Sequence, residues 1–224
     1  MARLSSRHLN QGQGMKMNTA VWTDWDSTWI YSLVIDDPDT LNNPKARRQW
    51  ISDVVQSLLH ILEPFATPRE VEVSTLSQGE EAFVIRRDDP EYSSKLIQYL
   101  SRTDDVTDVD FILTLHCYEV DENLNGKEIE FEIGGAIYLV IELDKDRNIR
   151  PSSKGKDDSP IWMSIHLYVD IHAPLLRKTK KSEETARINA PLLKNFLKRL
   201  ESHLPVELSE VDAAPYLLEY LESI

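Results

Sequence analysis

Four residues of this sequence are of types and spacings that could do chemistry: His116, His166, Asp170 and His172. Each falls on the polar side of a stretch that alternates with a period of two, the pattern of a strand with one buried face. A histidine near a carboxylate is poised around neutral pH and can act as general acid or base. The other chemistry open to such residues is metal binding. Same-face neighbours on a strand are about 6.6 Å apart, which puts His166 and His172 roughly 20 Å apart. Metal–nitrogen bonds of about 2.1 Å therefore keep them from sharing an ion. Asp170 and His172 could share one with a third ligand from a neighbouring strand, where His116 has the right parity. A small hydrolase or metal-dependent enzyme built on these four residues is the second reading of the chain. It lacks a nucleophile and an oxyanion donor, since Ser164 and His166 on a single strand do not make a triad.

No motif supplies the missing parts. No glycine pattern cradles a phosphate, and neither G-x-S-x-G nor H-E-x-x-H occurs. The stretch "DKDRN" from Asp144 begins like a calcium loop. Ile149 and Gly155 stand where its turn glycine and bidentate acid belong. No cofactor and no bound metal are expected.

The first reading rests on other residues of the same parity. Glu128, Glu130 and Glu132 form an acidic row, accompanied by Tyr118, Tyr138, Trp162, His166, Tyr168 and Asp170. Adjacent acids in such a row repel by only about 0.6 kcal/mol in water, which an ordinary solvent face tolerates. Aromatic rings among charges are the makings of a binding hot spot. The net charge is −13, and residues 104–144 hold twelve acids against Lys127 alone. Residues 175–199 hold eight bases against Glu183 and Glu184. Such a chain repels nucleic acid and anionic membrane and attracts a basic protein partner. The expected function is a non-enzymatic protein-binding module whose acidic, aromatic sheet face engages that partner. An immunity or antitoxin role suits those physics, because steering is fast and occluding a basic site needs no chemistry. Self-association through the same face is opposed by its like charges.

The elements that must position these residues are readable. "IWMSIHLYVDIH", residues 161–172, reads as one strand, and "DVDFILTLHCYEV" as another. Residues 127–143 read as a single long strand flexed at Gly134-Gly135, because a two-residue turn there would set core residues beside polar ones. An odd-length loop, three residues with Gly126 left-handed, joins it to the strand before and sets Phe111 opposite Leu139. Further strands are expected over 20–36, in "REVEVSTL" and in "EAFVIRR". Asn43 and Pro44 start a helix that runs to Leu62, and Asp89 and Pro90 start a shorter one. A third begins at Ser182 or Asn189 with its stripe from Leu192 to Leu204, and "DAAPYLLEYLES" is the last. Runs of strands between helices predict an α+β fold: a mainly antiparallel sheet with helices packed on one face.

Cys117 has core parity and is expected to be a buried, inert thiol. A single cysteine excludes intramolecular disulfides and suits a reducing cytoplasm. No apolar run approaches the ~18 residues of a membrane span, and the N-terminus lacks an apolar signal core. Residues 1–18 read as a disordered tail, 19–224 as a single domain, and 144–160 as a mobile loop.

Overall fold

Odd-numbered apolar residues in the central strands decide which side of the sheet is buried. The computed structural model describes residues 27–35, 38–78, 82–150, 159–167, 170–173 and 179–224, without the side chains of 38–39, 131–134 and 170. The expected tail 1–18, the start of the first expected strand, much of the loop 144–160, and Tyr168 lie outside the described residues.

The strands are β1 (Ser27–Leu33), β2 (Ala66–Thr75), β3 (Phe83–Arg86), β4 (Val106–Val120), β5 (Gly126–Ile141), β6 (Ile161–Leu167) and β7 (Val206–Asp212). They form one sheet of order β3-β2-β4-β5-β6-β1-β7, antiparallel at every pairing. The helices are α1 (Pro44–Leu62), α2 (Tyr92–Leu100), α3 (Lys180–His203) and α4 (Pro215–Ser223). Val109, Phe111, Leu113, Leu115 and Cys117 of β4 are fully buried, as are Ile137 and Leu139 of β5 and Met163 and Ile165 of β6. They join Leu58 of α1, Leu96 of α2, Phe196 of α3 and Leu217 of α4 in one hydrophobic cluster. Each such side chain contributes roughly 1.5–3 kcal/mol by leaving water. The protein is α+β, with its helices on one face of an antiparallel sheet.

Local chemistry sets the helix starts. Asn43 Oδ1 accepts from the Lys45 and Ala46 N–H groups, and Pro44 takes a position whose N–H would be orphaned anyway. α2 begins two residues later than Asp89-Pro90 suggested. Asp89 Oδ1 accepts instead from the Glu91 N–H in the turn before the helix. α3 begins before either expected start: Thr179 caps it and Ser182 closes a capping box.

Parity held where register did not. The β4–β5 loop has odd length, but Val120 pairs with Gly126, leaving 121–125 as five loop residues rather than three. The left-handed residue is Leu124, at φ 63°, not Gly126. Phe111 faces Ile137, and Leu139 faces Val109. Leu113 pairs with Gly135 and Leu115 with Phe131, so β5 carries two extra residues there. An even insertion shifts register without exchanging faces. This is the flexure expected at Gly134-Gly135. At Gly135 the neighbouring strand comes so close that a Cβ would lie 2.5 Å from the His166 carbonyl oxygen.

One strand expectation fails, and one strand was not expected. β6 stops at Leu167, and residues 170–172 form a 3-10 turn. β7, an edge strand pairing with β1, was not legible: most of its residues are exposed, and Glu207, Glu210 and Asp212 break any apolar alternation.

Candidate functional site

The even-numbered side of β4, β5 and β6 faces away from the hydrophobic cluster. None of the described helices buries its stripe there. The polar residues expected on this side divide into two patches.

The first patch lies at the hairpin end. Tyr118 stands opposite Glu128 and His116 opposite Glu130. Glu130 lies 3.8 Å from Arg87 Nη1. The side chain of Glu132 lies outside the described residues. The second patch is central. Tyr138 stands between Asp110 and Ser164, and its ring meets that of His166 edge-on at 5.2 Å. Trp162 stands between Val140 and Ser32. His116 and Asp110 are six residues apart on β4, so the patches are separated by roughly 20 Å. One continuous acidic-aromatic row, as the sequence suggested, is therefore two groups.

The central patch has an apolar middle of Ile30, Ile112, Val140, Tyr138 and Trp162, all half-buried. Acids flank it. Glu72 of β2 is directly opposite Asp110 of β4, with Asp108 two residues along. At the far side, Asp212 and Glu210 of β7 stand opposite Thr28 and Ile30. Burial pushes the Asp110 carboxyl up to about 7, and the nearby charges of Asp108 and Glu72 add to the effect. Burial also raises Asp108. Arg86, the base on this side of β3, is held by Glu70 at 2.7 Å. Asp110 and Asp108 were visible as even-position acids of "DVDF". Glu72, Glu210 and Asp212 carried no signal without knowing which strands adjoin.

The four residues of the enzyme reading are not brought together. His116 shares a 2.7 Å hydrogen bond with Thr67. His166 is tied through Nδ1 to Thr28 at 3.1 Å and through Nε2 to Ser164 at 3.0 Å. Asp170 sits in the 3-10 turn rather than on β6, so it does not continue the outward row. His172 is buried on the opposite side: Nδ1 meets the Asn189 carbonyl at 3.2 Å, and the ring lies 5.8 Å from Phe65. The 3-10 turn at 170–172 breaks the alternation that had placed both outward. Among the described residues no group of three or more His, Cys, Asp or Glu is placed to hold a metal.

No protein family, curated protein or solved structure matches this chain. The reading of the central patch therefore rests on its own chemistry. An apolar, aromatic middle with acidic margins has the composition of a protein interface that selects for positive charge. Among the described residues no helix is long and apolar enough to cross a membrane.

Proposed function

We propose that this chain is a non-enzymatic, cytoplasmic protein-binding module whose acidic, aromatic sheet face engages a basic protein partner, in an immunity- or antitoxin-like role. The observation that carries the reading is the pair Glu72 and Asp110, opposed across β2 and β4 beside Tyr138. Two carboxyls in a half-buried position repel, and a cation arriving between them relieves that cost. The acids of β7 extend the field across the sheet, and the net charge of −13 steers a cationic protein toward it. The rings supply the area that fixes the pose.

The test compares capture from cells of the source organism by the wild type, Glu72→Lys/Glu210→Lys and Trp162→Ala. The expected result is a basic protein retained by the wild type, released by salt, and lost from both variants while their thermal melts stay close to the wild type's. Retention of the same proteins by the charge-reversed variant would overturn the reading.

A further inference from the structure

We propose that the groove between Trp162 and Glu210 is a socket for one arginine side chain of that partner. The proposal rests on the docking face described above and names how it is gripped. The groove is lined by Ile30, Ser32, Ser159, Trp162, Ser209 and Glu210. Its geometry follows from strand order. Trp162 on β6 stands opposite Ser32 of β1 and Glu210 on β7 opposite Ile30, so the two rise diagonally on either side of β1, with Ser32 and Ile30 between them. Strands two apart are separated by roughly 9.6 Å, and two residues of rise lengthen the diagonal to roughly 12 Å, room for one flat group between an indole and a carboxylate.

The irregularity that places Ser209 as an extra residue in β7 re-aims its side chain over the floor, where Ser209 Oγ meets Ser32 Oγ at 2.6 Å. Among the described residues Glu210 has no ion pair. An indole face, a carboxylate and hydroxyl oxygens match a guanidinium. It stacks, pairs in two-pronged fashion, and offers further donors to the serines. An ammonium offers neither the plane nor the fork.

The probe is a capped glycine-arginine-glycine tripeptide, with its citrulline and lysine counterparts as controls. The readout is the Trp162 indole N–H resonance, assigned by its loss in Trp162→Phe. The expected result is a saturable shift with the arginine peptide alone, weakened roughly ten-fold in Glu210→Gln by loss of the charged acceptor. A citrulline shift of equal size, or an arginine shift unchanged in Glu210→Gln, overturns the socket. A lysine peptide equal to arginine overturns the guanidinium assignment. Failure here is separable from failure of the docking reading. If the partner is lost from Glu72→Lys/Asp108→Lys but kept by Glu210→Gln, the socket alone falls.

Discussion

Asn189 of α3 completes the edge of β4 at Tyr118. Its Oδ1 accepts from the Tyr118 N–H at 2.7 Å, and its Nδ2 donates to the Tyr118 carbonyl at 2.8 Å. β2 starts opposite Leu115, and the last main-chain bond on that side runs from the His116 N–H to the Phe65 carbonyl. One side-chain amide thus replaces the peptide that β2 does not supply. It also carries the polar end of the docking face on a helix from the other layer.

Asn189→Leu strands both main-chain polar groups of the half-buried Tyr118 against an apolar side chain. The expected loss is ~2–4 kcal/mol in urea unfolding, with faster amide exchange at Tyr118. Asn189→Asp keeps the acceptor, loses the donor, and falls between. A change below measurement in Asn189→Leu would show that water replaces the amide.

The pH dependence has two opposed parts. Burial pushes His172 down to about 4, from an ordinary value of 6.5. Its folded pKa is depressed, so the unfolded chain takes the proton first, and stability falls by up to about 3 kcal/mol as pH drops from 6.5 to 4. Asp110 is raised from 3.8 to about 7. Its contribution is present below pH 4 and is lost as pH rises through 7, by ~1–2 kcal/mol once partial exposure is allowed for. The wild type should therefore gain only ~1–2 kcal/mol between pH 4 and 7, less than the histidine alone would give. Asp110→Asn should steepen the rise in stability with pH across that window, and His172→Phe should reverse it. Chemical denaturation at several pH values reads both slopes, and parallel curves for all three proteins would refute the assignment.

Gly135→Ala places a methyl 2.5 Å from the His166 carbonyl oxygen and 2.9 Å from Leu167 Cδ2. Main chain cannot yield as a side-chain tip can, so a loss of ~1–3 kcal/mol is expected from overpacking. Gly126→Ala meets the tip of Ile188 at 3.2 Å and Tyr118 Cδ1 at an ordinary 3.9 Å, and serves as the mild control. Equal melting temperatures for the two variants would contradict this.

Cys117 is buried with its thiol pushed up to about 12. It should resist a disulfide reagent at pH 8 until denaturant is added, because the thiolate is the reacting form. Rapid native labelling would mean that β4 opens locally.

The sheet's two faces were legible because alternation is local: each residue's neighbours along the chain state which side is greasy. Phe111, Leu139 and Ile165 could be assigned to the core from their strands alone, and all are buried. The long β5 was legible for the same reason. Asn43 and Pro44 were legible because capping is chemistry between residues two and three apart. Arg47 was not: in sequence it is one base of a helix, yet it is buried and donates to the Leu41 and Asp104 carbonyls.

What parity could not reach was anything set by partners distant in sequence. The two-residue insertion in β5 moves register without changing faces, so it left no mark in the alternation. β7 is an edge strand with little to bury, and its acids look like a loop until β1 is seen beside them. His172 keeps the outward parity of β6, but it lies in the 3-10 turn at 170–172 and is buried in the core. By itself the sequence determined the period of each strand, the buried side of each, and the sign of the charge. Only the tertiary structure decided which acids share a face, since hydrogen-bonded order rather than spacing sets Glu72 opposite Asp110 and brings Glu210 in at the far edge of the sheet.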